Sequence, residues 1–194
     1  ARLEYNGYEP GAIENAGNGG LGGAIRGRTF TGASAAAGIH VGLWKGGAAV
    51  ANYSHSFRPP GLEELYNYGP HVGNLAFEVG NPDLKAETGD GVDVSLRHEQ
   101  RKLRMEGNFF YYDFSNFVFP FATGQSRHEL QEVVYTQSDA RFMGAEVSAS
   151  YLLGGGVQWN VGLDYVDAEE KATKTTLPRL PPLRGRMGLR WSWK

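Results

Sequence analysis

The feature that most constrains this chain is alternation with a period of two. From Lys102 to Tyr112, Leu103, Met105, Gly107, Phe109 and Tyr111 interleave with Lys102, Arg104, Glu106, Asn108 and Phe110. Val157, Trp159, Val161, Leu163 and Tyr165 interleave with Gln158, Asn160, Gly162 and Asp164, and Met187, Leu189, Trp191 and Trp193 with Gly188, Arg190 and Ser192. Val92–Leu96 and Ala145–Tyr151 repeat the pattern. Successive side chains on a strand point to opposite faces, so each segment carries one apolar and one polar wall. Helices cannot hold such a pattern.

The spacing predicts about eight strands, near residues 1–9, 29–44, 48–57, 87–98, 102–114, 141–153, 157–167 and 183–193. Most exceed the five or six residues usual in soluble sheets and approach the nine to eleven or so that span a bilayer. Trp44, Tyr53, Tyr151, Tyr165, Trp191 and Trp193 sit near strand ends, where an interfacial girdle would lie. The polar walls mix charges and amides, as a hydrated lumen would.

The connections set a parity. Trp44–Gly47, His98–Arg101 and Leu153–Gly156 read as tight turns, while Pro10–Arg28, Arg58–Ala86, Ser115–Asp139 and Ala168–Pro182 read as long polar linkers. Strict alternation of short and long connections is the rhythm of a membrane barrel with short turns on one side and long loops on the other. One helical turn is expected inside its loop at Leu62–Tyr68. The fold class is therefore all-β, an antiparallel meander of about eight long strands forming an open segment of a transmembrane β-barrel.

Composition supports this and excludes other classes. The 28 glycines among 194 residues are about double the usual share. A formal charge of −2 without basic runs argues against nucleic acid as a partner. Cysteine is absent, so no disulfide, thiol nucleophile or cysteine-ligated metal is available. The mean hydropathy of −0.41 carries little weight, because barrel strands are only half apolar. No spanning helix and no signal-peptide pattern is visible, and the chain reads as beginning and ending within a fold.

Four stretches carry a family resemblance. Tyr53-Ser54-His55-Ser56-Phe57-Arg58-Pro59-Pro60-Gly61-Leu62-Glu63-Glu64-Leu65 resembles the Y-S-x-x-F-R-x-P-x-x-x-E-L signature of TonB-dependent outer-membrane receptors. Gly80-Asn81-Pro82-Asp83-Leu84-Lys85-Ala86-Glu87 resembles their G-N-P-x-L-x-x-E strand opening. Tyr111–Val118 is similar to their strand exit, and Arg141–Glu146 to their A-x-x-x-G-x-E strand entry. Gly69-Pro70-His71-Val72 with Phe77–Asn81 is similar to the branch containing zinc-uptake receptors.

The resemblance implies that residues 1–194 are part of a larger receptor barrel in the bacterial outer membrane, without its plug domain and remaining strands. Its implied partners are outer-membrane lipid, a small solute or metal ion, and the TonB system acting through the plug. The implied function is energy-driven uptake of a scarce solute, such as a metal ion or metal chelate. Two alternatives stay open: a passive pore or adhesin-like surface barrel, and a soluble carbohydrate-binding β-sandwich.

The loop Arg58–Ala86 is the expected capture region. Tyr66 and Tyr68 offer stacking surface and hydroxyls, and His71 and Glu78 offer metal-binding chemistry. His71 is the candidate metal ligand, with Zn²⁺ the cation its imidazole suits, although closed zinc sites take four ligands. Glu63, Glu64 and Glu87 are expected to brace the rim or the lumen. No resident cofactor is indicated. His128-Glu129 lacks the second histidine of a helical zinc-protease motif. Gly17–Gly23 lacks the following Lys-Ser/Thr of a phosphate loop, and no nucleophile elbow occurs, so no enzyme is expected.

Overall fold

A computed structural model describes residues 1–9 and 25–193. The glycine-rich run Gly17–Gly23 lies outside them. The strands are β1 (Arg2–Tyr8), β2 (Arg28–Trp44), β3 (Gly47–Arg58), β4 (Tyr68–His71), β5 (Ala76–Val79), β6 (Glu87–Gln100), β7 (Leu103–Arg127), β8 (Leu130–Gly154), β9 (Val157–Glu170) and β10 (Arg184–Trp191). The one described helix, α1 (Leu62–Tyr66), falls within the expected turn. All strands join one open sheet in the order β1-β2-β3-β6-β7-β8-β5-β4, with β9 between β8 and β10. The all-β, antiparallel fold class holds.

Three details differ from the expectation. First, Ser115–Asp139 is not a loop: β7 and β8 each run for 25 residues, and only His128 and Glu129 separate them. Those two residues have φ of 51° and 65°, the pair of positive values that a two-residue hairpin turn requires. Second, the Arg58–Ala86 connection contains a hairpin of its own, β4 with β5, in register Tyr68↔Val79 to His71↔Ala76. Third, β5 adds to β8 in parallel, Ala76↔Gln131 to Val79↔Val134, so not every strand pairs with its sequence neighbour.

The chain divides into two compact units. The first comprises Ala1–Ser34, Ser56–Thr88 and Phe114–Asp139. It has a buried apolar cluster of Phe30, Phe57, Leu65, Leu84 and Val118, edged by Tyr8, Tyr66, Ala86 and Tyr135. Leu65 and Leu84 are fully buried. Both come from the Arg58–Ala86 segment, so burial of roughly 2 kcal/mol or more per side chain fixes that segment as an ordered cap.

The second unit comprises Ala35–His55, Gly89–Asp113 and Ala140–Lys194, and holds the three tight turns. Its register separates two walls. Val147↔Leu163, Ala149↔Val161 and Tyr151↔Trp159 pair between β8 and β9, and Trp159↔Leu189 and Val161↔Met187 between β9 and β10. These side chains share one face and are largely exposed, as are Ile39, Val41, Val92, Val94 and Phe109. The opposite face carries Glu146↔Asp164, Ser150↔Asn160 and Arg190↔Gln158. The period-two sequence pattern has become an apolar and a polar surface.

Candidate functional site

The site is built in the first unit from where β3 stops. Pro59 and Pro60 have no N–H to continue the ladder, so the strand ends at Arg58. Gly61 then opens α1, its N–H donating to Glu64 Oε2 at 2.8 Å. The other end of α1 is closed by the second motif: Gly80 N–H donates to the Asn67 carbonyl at 2.7 Å and Asn81 N–H to the Glu64 carbonyl at 2.8 Å. A Cβ on Gly80 would lie 2.6 Å from Tyr66 N, so only glycine permits this approach. Asn81 Oδ1 accepts from Asp83 N–H at 3.0 Å, forming the turn that leads to β6.

Arg58 ties these pieces together. Its Nε and Nη2 reach Glu87 Oε1 and Oε2 at 3.3 and 2.9 Å, and its Nη1 reaches both oxygens of Glu64 at 3.1 and 2.9 Å. Glu87 also accepts the Val118 N–H at 3.0 Å. Burial pulls the Arg58 guanidinium down, but the Glu87 and Glu64 carboxylates outweigh it and hold the group above its ordinary value. The signature residues Arg58, Glu64 and Glu87 are therefore one ion network bracing the cap.

Beyond α1 stands the β4–β5 hairpin with the residues expected to bind ligand. Glu78 is almost fully buried, and its carboxylate accepts from Asn74 Nδ2 at 2.7 Å, Asn67 Nδ2 at 3.2 Å and the Tyr135 hydroxyl at 3.1 Å. Three neutral donors compensate a buried charge. Burial and the hydrogen bond to Glu78 push the Tyr135 hydroxyl up to about 12. His71 Nδ1 lies 3.8 Å from Glu78 Oε1, shielded and without a hydrogen-bond partner, while the rest of the ring is well exposed.

Tyr68 packs edge-on against Phe77 with centroids 5.2 Å apart, and its hydroxyl accepts from Arg127 Nη1 at 2.6 Å. The Arg127 guanidinium lies over both rings, 5.4 Å from Tyr68 and 5.3 Å from Phe77. Its Nε donates to Glu132 at 2.8 Å, and that carboxylate holds the guanidinium above its usual range. His128 covers the Phe77 ring at 5.7 Å. Tyr66 turns elsewhere, its hydroxyl donating to the Arg26 carbonyl at 2.7 Å.

The structure thus brings His71 and Glu78 together, seats Tyr68 beside them on the same hairpin, and leaves Tyr66 apart. Among the described residues no three His, Asp or Glu side chains gather around a point able to hold an ion. Asn67, Asn74, Arg127, His128 and Tyr135 belong to this site but carry no sequence signal of their own. Knowledge of the β4–β5 hairpin would have found Asn67 and Asn74, and only knowledge that β5 lies along β8 the rest.

With this geometry in hand, the kind of protein is settled by comparison. The TonB dependent receptor-like β-barrel family matches residues 2–194, and the chain belongs to it; this is a family of receptor barrels and not of enzymes. Among solved structures the chain is similar to the copper transporter OprC, with 25% identity, a TM-score of 0.73, and 85% of this chain covering 25% of that one. It is also similar to the ferric enterobactin receptor PfeA from Pseudomonas aeruginosa in complex with enterobactin, with 17% identity, a TM-score of 0.62, and 87% of this chain covering 26% of that one. The siderophore receptor PirA from Acinetobacter baumannii gives 14% identity and a TM-score of 0.62, with 86% of this chain covering 27% of that one. The last two likenesses concern the fold. The chain spans about a quarter of the length of these structures.

Proposed function

We propose that residues 1–194 are part of the barrel of an outer-membrane receptor that captures a metal ion or metal chelate and takes it up using TonB. The observation that carries this reading is the apolar wall of the second unit. It runs from the row Tyr151–Trp159 to the row Ala145–Tyr165, aromatic at both ends, and is followed by Met143↔Asp167 and Arg141↔Glu169. The seven residues from Ala145 to Tyr151 span six steps, about 20 Å along the strand, of the same order as the apolar band between the two aromatic girdles of an outer-membrane barrel. The lipid of that membrane covers the apolar wall in this reading, and the polar wall lines the lumen. A soluble two-sheet sandwich does not fit a single sheet in a barrel family. A passive pore or adhesin lacks the support that family membership gives to uptake.

The remaining strands and a plug domain acting with TonB would lie in the rest of the receptor. The first unit is the capture surface in this reading, with His71, Tyr68 and Tyr66 offered to the solute and Glu78 supporting His71 from behind. A single imidazole without a closed ligand set suits a metal arriving with its own chelator, or one completed by donors from other loops. Similarity to a structure named as a copper transporter supports a metal cargo, and zinc remains within that class through the Gly69–Val72 stretch.

The test is isothermal titration of the full-length receptor and its His71→Ala variant with Zn²⁺, Cu²⁺ and a ferric catecholate siderophore. Loss of affinity for one of these in the variant assigns the cargo. Equal affinities in both proteins for whichever ligand binds would remove His71 from the capture surface.

A further inference from the structure

The polar wall of the second unit has a concavity that neither the cap nor the apolar wall explains. It encloses about 540 Å³ and is lined by Arg104, Ser148, Ser150, Gln158, Asn160 and Arg186 among others, with no carboxylate among its lining residues. Two other arginines of this wall are matched. Arg97 Nε donates to Glu106 at 2.9 Å, and Arg184 Nε to Asp164 at 2.7 Å. Those of the concavity are matched less fully. Arg104 has no carboxylate within ion-pair distance among the described residues, and Arg186 reaches Asp164 only at 3.9 Å, with that acid already engaged by Arg184.

The backbone makes room for this arrangement. A Cβ on Gly162 would lie 2.6 Å from Arg186 Nε, so the glycine opposite Arg186 in the β9–β10 register lets the side chain lie flat across β9. Gly188, opposite Asn160, leaves open space within 4 Å beside it. The amides are already organised, with Gln158 Nε2 donating to Asn160 Oδ1 at 2.7 Å. Two guanidinium forks with hydroxyl and amide donors around them form a receptor for a planar or tetrahedral oxyanion.

We propose that this concavity is an anion subsite for a carboxylate or phosphate group, with Arg104 and Arg186 as its charged donors. The inference rests on the assignment of this wall to the lumen. Two sources share the chemistry: a free anionic solute in the lumen, and an acidic side chain from a part of the receptor outside residues 1–194.

The experiment uses the full-length receptor carrying Ser148→Cys. It compares modification by two methanethiosulfonate reagents of similar size, one an anionic ethylsulfonate and one a cationic ethyltrimethylammonium. A tenfold or greater preference for the anion that collapses when Arg104→Gln and Arg186→Gln are combined supports a subsite open to solutes. Protection from both reagents that is lifted by the same two substitutions supports a subsite filled by the receptor's own carboxylate. Rates independent of Arg104 and Arg186, or changed as much by Arg190→Gln outside the concavity, would overturn the proposal. Labelling of the Ser148→Cys thiol by a membrane-confined maleimide would instead overturn the lumen assignment, and so separates failure of the proposed function from failure of the subsite.

Discussion

Arg58 and Glu87 meet side-on from neighbouring strands, Nε and Nη2 of the guanidinium on two carboxylate oxygens at 3.3 and 2.9 Å. Glu87 is buried whereas Arg58 is partly open to solvent. Removing the arginine therefore strands a charge in an apolar setting. Arg58→Ala should destabilise the folded receptor by about 2 kcal/mol, less than a fully buried pair would cost because solvent screens the exposed side. Glu64→Gln, which keeps the Glu87 contact, should cost distinctly less. Urea unfolding of the reconstituted receptor measures both, and equal effects would contradict the bidentate pairing as the main brace.

The Tyr135 hydroxyl donates to buried Glu78 and titrates near 12 rather than 10. A raised folded value means that the stabilisation is complete below pH 10 and is lost as pH rises from about 10 to 12, when the unfolded chain ionises first. The β4–β5 hairpin should accordingly loosen in that window. Phenolate absorbance followed against pH should lose one late-titrating tyrosine in Tyr135→Phe. A variant with an unchanged titration curve would refute the assignment.

Arg127 joins the hairpin to β8 by stacking on Tyr68 and Phe77 and by pairing with Glu132. Lysine keeps the charge but neither the flat face nor the fork. Arg127→Lys should therefore speed amide hydrogen exchange in Ala76–Val79 nearly as much as Arg127→Ala. Exchange in Val157–Glu170 should be unaffected by either. Full protection in the lysine variant would show that charge alone holds the hairpin.

On the apolar wall, the cost of a charge should depend on its row. Val147→Arg, at the middle of the band, should cost roughly 2–4 kcal/mol in folding into bilayers, and Met143→Arg, beside Asp167, about 1 or less. Ser148→Arg, on the opposite wall, should be tolerated. Equal costs at positions 147 and 148 would erase the distinction between lipid and lumen faces.

Much of the second unit is legible in the sequence because its strands keep one register with period two, and glycine or charged turns separate them. Legibility ends where the period breaks. Asn116 and Gly124 take φ of 55° and 79° inside β7, and each such irregularity disturbs the alternation, so a 25-residue strand reads as a strand followed by a loop. The His128-Glu129 turn lacks the Asn-Gly or Asp-Gly chemistry that announces such turns, and stacking of His128 on Phe77 accompanies its unusual backbone. β4 and β5, at four residues each, are too short to show any period. Glu78 reads as a ligand in the sequence because its burial comes from Asn67, Asn74 and Tyr135. Only the folded chain brings the last of these near.

The parallel pairing of β5 with β8 also fixes an order of assembly. β5 is synthesised well before β8, and Phe77 cannot meet Glu132 until the long β7–β8 arm exists. Closing so large a loop is slow, and its entropy is repaid only when the partner strand is already in place. The β4–β5 hairpin that bears His71 pairs locally, but its parallel edge waits for β8. That hairpin is among the last parts of the chain to find its seat.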